Sequence, residues 1–66
     1  MKGSADRLAN LVMGQATKAE KVATLTEYGL ESMSPSEMRQ WLARAVRNHV
    51  ISEPVAEEVR RYMRTQ

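Results

Sequence analysis

Residues 34–37 have the sequence Ser34-Pro35-Ser36-Glu37, which is the clearest local signal in the chain. A serine before the first turn of a helix accepts a hydrogen bond from a free backbone amide, and a glutamate three positions later accepts one from the serine's own amide. Proline is favoured at the first helical position, where its missing amide proton is not needed. The motif therefore predicts a helix that begins at Pro35.

The segment after this motif keeps the apolar spacing of a helix as far as Val50. Met38 is also placed to pack against Met33 across the helix start. The apolar stripe consists of Met38, Leu42, Ala45, Val46, His49 and Val50, with Trp41 at one edge. The opposite face consists of Ser36, Gln40, Arg44 and Arg47. We therefore predict a helix over residues 35–50 with one side in the core.

The first half of the chain has a second apolar stripe, which stays in phase across Gly14. Its members are Ala5, Leu8, Leu11, Val12, Ala16, Ala19, Val22 and Ala23. Ser4 is placed to cap the start of this segment. The continuous phase favours one long helix that ends near Tyr28.

A competing signal favours a break in the same segment. Thr17 and Glu20 form a second capping box directly after Gly14, and a glycine inside a helix costs about 1 kcal/mol relative to alanine. One long helix and two shorter ones are both compatible with the pattern, and we favour a break or kink at Gly14. Gly29 is then the expected cap at the end of the second helix.

The last helix is predicted to begin near Glu53, with Pro54 in its first turn. Its apolar face consists of Val55, Val59, Tyr62 and Met63. Glu57 and Glu58 lie at helical neighbour spacing from Arg61, so each is expected to pair with it. The connection to the preceding helix is short, so the two helices must fold back or turn steeply.

The fold class is therefore all-α, a small bundle of three to four short helices at approximately 4–13, 17–28, 35–50 and 53–64. Residues 1–66 are expected to form a single helical domain, with 1–3 and 65–66 frayed. The predicted core consists of Leu8, Leu11, Val12, Val22, Leu25, Leu30, Met38, Leu42, Val46, Val55, Val59 and Tyr62.

The length and composition indicate how so small a chain gains stability. A 66-residue domain buries only about 60% of the surface that its unfolded chain exposes. The chain has no cysteine and one histidine, so we expect no disulfide, no structural metal and no cofactor. Association is the remaining route, and we expect a homodimer or a complex with a partner. No segment approaches a membrane span, and the cytoplasm is the default location.

Catalysis is the least favoured class of function. Serines, His49 and Asp6 supply the residue types of a catalytic triad, but a chain of this length has little structure with which to build a pocket and an oxyanion hole. His49 lies in the apolar stripe and is expected to be a core or interface residue. We therefore predict no enzymatic activity, no catalytic residue and no small-molecule substrate.

Protein binding is the function that the sequence favours. The chain has five methionines, which adapt to partner surfaces, and Trp, Tyr and Arg are enriched among interface hot spots. The expected contacts are Met38, Trp41, Arg44 and Tyr62, although Trp41 is equally explained as a packing residue of the core. The predicted function is a non-enzymatic regulatory protein that binds another protein through a helical surface and modulates its activity or assembly.

The alternative is a small DNA-binding transcriptional regulator. The last two helices resemble a helix-turn-helix arrangement, and the arginines cluster there. The possible phosphate contacts are Arg39, Arg44, Arg47, Arg60, Arg61 and Arg64. Against this alternative, the start of the last helix carries Glu53, Glu57 and Glu58, and carboxylates facing phosphates oppose binding. The arginines are also explained as a solvated face paired with glutamates.

Overall fold

A computed structural model describes residues 3–65 and the side chains of residues 7–65, and this part of the chain forms four helices and no strand. Helix α1 spans Gly3–Met13, α2 spans 18–32, α3 spans Pro35–Arg47 and α4 spans Glu53–Thr65. The predicted all-helical bundle is confirmed. No helix in this part is both long and apolar enough to cross a membrane.

The ends of the described part differ slightly from the prediction. Ser4, which was predicted to cap α1, is instead the second residue of that helix. Gly3 and Thr65 are helical, and the predicted fraying at residues 1–2 and 66 lies outside the described residues.

The predicted break near Gly14 is confirmed. Helix α1 ends at Met13, and Thr17 caps α2 with a hydroxyl that accepts from the Glu20 amide at 3.1 Å. Lys21 then ties the two helices together, because its Nζ donates to the carbonyls of Val12 at 3.1 Å and Gln15 at 2.9 Å. These bonds satisfy carbonyls that the end of α1 leaves without a helical partner.

Helix α2 contains a π-helical turn at Leu25–Gly29, between α-helical segments at Lys18–Thr24 and Leu30–Ser32. The Thr26 hydroxyl donates to the carbonyl of Val22 at 3.0 Å. The same carbonyl also accepts from the Leu25 amide, so the hydroxyl adds a side-chain bond to the helix backbone just before this turn, a bond that often bends helices.

Gly29 is not the helix cap that the sequence predicts. It is buried inside α2 with φ −62°, which is an ordinary helical conformation. A Cβ atom there would lie 2.5 Å from Met38 Cε and 3.4 Å from Leu8 Cδ2. A larger residue at this position would therefore require the end of the Met38 side chain, which is fully buried, to move.

The predicted start of α3 is confirmed in detail. The Glu37 amide donates to Ser34 Oγ at 3.2 Å, the Ser34 amide donates to Glu37 Oε1 at 3.0 Å, and Pro35 occupies the first turn. The capping box is therefore complete.

The predicted end of α3 is wrong, because the helix stops at Arg47 rather than Val50. His49 follows with φ 62°, and the amides of His49 and Val50 donate to the carbonyls of Val46 at 3.1 Å and Ala45 at 2.8 Å. This pair of bonds is the Schellman motif, which reverses the chain at a helix end. His49 is consequently exposed and is not the core residue that the apolar stripe suggested.

The core lies where α2, α3 and α4 meet, with α1 packed against α2. Its buried members are Leu8, Val12, Leu25, Met38, Trp41, Leu42, Ala45, Ile51, Val55, Ala56 and Val59. Val22, Leu30 and Val46 from the predicted core are partly buried against this cluster. Leu11 and Tyr62 were predicted incorrectly, since they are 40% and 42% exposed. The predicted core set omitted four buried residues, Trp41, Ala45, Ile51 and Ala56.

Candidate binding surfaces

The net charge of the chain is concentrated in one region. Residues 1–32 carry four basic and four acidic side chains, and residues 53–66 carry three of each. Residues 33–52 hold three arginines and a single glutamate, so they account for the whole formal charge of +2. This region consists of α3 and the connections on either side of it.

Helix α3 presents its charges on one outward face, which we call the arginine face. Its members are Ser36, Arg39, Gln40, Ala43, Arg44 and Arg47, and all are exposed. The other side of α3 is buried through Met38, Trp41, Leu42 and Ala45. Because α3 rises about 1.5 Å per residue, Arg39 and Arg47 are separated by roughly 12 Å along the helix axis. The packing of α3 thus leaves a polar, basic strip in solvent.

The arginines of α4 have a different environment. Arg60 pairs with Glu57 at 3.4 Å and with Glu53 at 3.6 Å, and Arg64 pairs with Glu57 at 3.9 Å. Arg61 was predicted to pair with Glu57 and Glu58, but both glutamates have other partners. Glu57 pairs with Arg60 and Arg64, and Glu58 pairs with Lys18 of α2 at 3.4 Å. The positive charge of α4 is therefore largely balanced within the fold.

Arg39, Arg44 and Arg47 take part in none of the ion pairs formed among residues 7–65. The one carboxylate of residues 33–52 belongs to Glu37, and it is engaged by the Ser34 amide at the start of α3. The N–H donors of these three guanidinium groups are thus not engaged by a carboxylate of the described part and are available to a partner.

The residues expected to contact a protein partner lie in two different environments. Met38 is fully buried and Trp41 is 6% exposed, so both pack in the core. Of the two interpretations of Trp41, core residue and partner contact, the structure agrees with the first. Arg44 lies on the arginine face, and Tyr62 is 42% exposed on α4. The structure does not bring these four residues together on one surface.

The other large exposed apolar side chains belong to α1. Leu11 and Met13, near the end of α1, are 40% and 62% exposed. An open groove of about 660 Å³ runs beside α2 and α4, lined by Thr17, Lys18, Ala19, Val22, Ala23, Thr26, Glu27 and Glu58. Sequence reasoning missed the groove because the apolar spacing of Ala19, Val22 and Ala23 does not show which of these residues another helix covers.

Three observations on the described residues concern metal and catalytic sites. Among its residues, no three side chains of His, Cys, Asp or Glu are grouped as a metal site requires. Every buried side-chain nitrogen or oxygen in this part has a hydrogen-bond partner. His49 is not among the residues that line the groove.

Comparison of the chain with protein-family models, with curated proteins and with solved structures finds no match.

Proposed function

We propose that this protein is a small, non-enzymatic regulator that binds double-stranded DNA through the arginine face of α3. The observation that carries the proposal is the set of three exposed guanidinium groups, on Arg39, Arg44 and Arg47, that the described part of the fold leaves without carboxylate partners. Neutralising phosphates releases condensed counterions, and this supplies much of the affinity of DNA-binding proteins.

The charge balance favours α3 over α4 as the contact surface. Each arginine that is already paired must give up that pairing before it binds a phosphate. Arg60 and Arg64 share Glu53 and Glu57, whereas the arginine face loses no ion pair formed among the described side chains. Arg61 is exposed and also takes part in none of these ion pairs, but it is the one such arginine of α4, whereas α3 carries three on one face. We therefore restrict the principal contacts to the three arginines of the arginine face.

The composition of the arginine face favours DNA over an acidic protein. Protein interfaces depend on buried apolar or aromatic anchors, and the large exposed apolar side chains found among residues 7–65 (Leu11, Met13 and Tyr62) lie outside α3. DNA interfaces are more polar and more positive. Apart from Pro35 and Ala43, the exposed residues of α3 are polar or charged.

A protein partner is the second candidate. The groove beside α2 and α4 supports it, since Ala19, Val22 and Ala23 give it apolar walls. Leu11 and Met13 are two further exposed apolar side chains near the end of α1. Partner binding there would modulate activity or assembly without involving the arginine face.

The test is titration of a short duplex by the full chain, followed by fluorescence anisotropy over a range of salt concentrations. The key variant replaces Arg39, Arg44 and Arg47 by alanine. The matched control replaces Arg60, Arg61 and Arg64 by alanine, so that both variants lose three positive charges. Circular dichroism verifies that each variant is folded.

We expect wild-type affinity to fall steeply with salt, and the α3 variant to bind at least about 10-fold more weakly at low salt. Its salt slope should decrease by about one for each arginine removed, while the α4 variant should stay closer to the wild type. Equal losses in both variants would show that only net charge matters and would contradict the proposal. Wild-type protein that fails to bind duplex even at low salt would overturn it.

A further inference from the structure

We infer that α2 and α3 form a helix-turn-helix unit in which α3 is the recognition helix, so that the DNA binding proposed above is sequence-specific. This inference rests on the proposed function. It assigns Arg39 and Gln40 to base edges in the major groove, and Arg44 and Arg47 to the flanking phosphates.

The connection between α2 and α3 is short, as in a helix-turn-helix unit, whose turn has about three to four residues. Only Met33 and Ser34 separate the two helices. The helices approach closely where buried Gly29 of α2 meets the side chain of Met38. Helix α4 also packs against α3, and the arginine face is the side that these neighbours leave free.

The alternative unit, α3 followed by α4, suits DNA less well. Five residues, 48–52, connect these helices. The start of α4 would meet the bases, and it carries Glu53, Glu57 and Glu58. Carboxylates at that position would be repelled by the phosphates. The sequence suggested a helix-turn-helix unit made of α3 and α4. We therefore replace it by the unit made of α2 and α3.

The first half of the arginine face carries side chains suited to reading bases. In helix-turn-helix proteins the N-terminal residues of the second helix contact base edges. The arginine fork bonds to O6 and N7 of guanine, and the glutamine amide bonds to N6 and N7 of adenine. Arg39 and Gln40 are adjacent and exposed, and neither side chain is held by a hydrogen bond within residues 7–65.

The second half of the arginine face is assigned to contacts with the phosphates of the DNA backbone. Arg44 and Arg47 follow Arg39 by roughly 7 and 12 Å along the axis. The major groove is about 12 Å wide, so a helix whose first turns enter the groove carries its later turns towards the groove edge, where the phosphates lie. Arg44 and Arg47 should therefore supply affinity rather than discrimination.

The experiment selects duplexes from a randomised pool with the full-length protein, and then compares the selected duplex with a scrambled one. Arg39→Lys keeps the charge but removes the bidentate fork. Arg47→Lys is the matched control, because it makes the same change at a residue assigned to phosphate. Gln40→Ala tests the second base contact.

We expect Arg39→Lys and Gln40→Ala each to reduce the ratio of specific to non-specific affinity by roughly 5- to 150-fold, and Arg47→Lys to leave that ratio nearly unchanged. Equal effects of the two lysine variants would overturn the division of roles. Wild-type protein that binds duplex but enriches no sequence would overturn this inference and leave the proposed function standing. Failure to bind duplex at all removes both.

Discussion

At the scale of single residues, His49 holds the conformation least suited to its side chain. Its φ of 62° lies in the left-handed region, which costs an ordinary L-residue about 1–2 kcal/mol. Glycine is the residue usually found at this position of a Schellman motif because it lacks a Cβ atom. The bonds from His49 and Val50 back to α3 maintain the turn despite that cost.

We expect His49→Gly to raise the free energy of unfolding by about 1 kcal/mol, because relief of the left-handed strain outweighs the extra freedom of the unfolded chain. Asn48→Gly is the control. Asn48 has φ −92°, so a glycine there relieves no strain and should lower stability. Urea unfolding measures both variants, and an equal change in the two would contradict the explanation.

Gly29 provides the opposite case, since its conformation is ordinary and its surroundings are crowded. We expect Gly29→Ala to destabilise the protein by about 1–2 kcal/mol, because overpacking at Met38 Cε exceeds the gain in helix propensity. Gly14→Ala is the control, as its Cβ would lie at an unstrained 3.5 Å from the nearest atoms.

A double-mutant cycle identifies the cause of that cost. If the Met38 methyl group is responsible, Gly29→Ala should cost less in a Met38→Leu background, where that terminal group is absent. Strictly additive effects in the cycle would contradict this assignment.

The sequence predicted most of the buried residues, and its errors have physical reasons. Trp41 was assigned to the edge of a stripe, but α3 contacts α2 on one side and α4 on another, so the buried sector is wider than one stripe. Leu11 follows the helical spacing, yet α1 packs through Leu8 and Val12. Ile51 lies in a turn, where periodicity carries no information.

At the scale of elements, helix starts were predicted better than helix ends. Ser34 and Thr17 cap their helices through side chains, and such caps are visible in the sequence. The end of α3 depends on a backbone motif that uses histidine rather than glycine. The end of α2 was placed at residue 28 because Gly29 resembled a cap, whereas the helix continues to Ser32.

We expect Ser34→Ala to lower the free energy of unfolding by about 1 kcal/mol, because the Glu37 amide loses its acceptor. Ser36→Ala, two residues later on the exposed face, should change stability by less than about 0.5 kcal/mol. Thermal unfolding followed by circular dichroism compares the two variants. Similar losses in both would mean that the cap contributes little.

At the scale of the whole molecule, small size leaves apolar side chains in solvent. We expect the protein to self-associate through Leu11 and Met13, because burying them offsets the marginal stability of a chain this short. Sedimentation at several concentrations should show a dimer, and Leu11→Ser with Met13→Ser should shift it to monomer.

The control for that experiment replaces Ala19 and Ala23 in the groove by serine. If these changes dissociate the dimer instead, the groove is the contact between copies. A strict monomer at every concentration would contradict self-association altogether.

The candidate site could be predicted only in part. The sequence shows that arginines cluster in the second half of the chain, and even that residues 33–52 carry the net charge. It does not show which arginines are paired, because both Arg60 and Arg61 lie at helical spacing from Glu57 and only the fold determines that Arg60 makes the contact. The distinction between α3 and α4 arises from that three-dimensional pairing.

The π-turn at Leu25–Gly29 is the place in α2 where a change in the number of residues is best absorbed. Such a turn closes i→i+5 bonds, so it accommodates one residue beyond a regular turn. Removing one residue there would leave a regular α-turn with the segments on either side in nearly the same register, whereas removing one residue from the α-helical part at Lys18–Thr24 would rotate the residues before the deletion by about 100° relative to Gly29. The alignment of Lys21, which bonds to the end of α1, with Gly29, which lies against α3, should therefore survive a one-residue deletion at the π-turn and be lost by the same deletion in the α-helical turns before it.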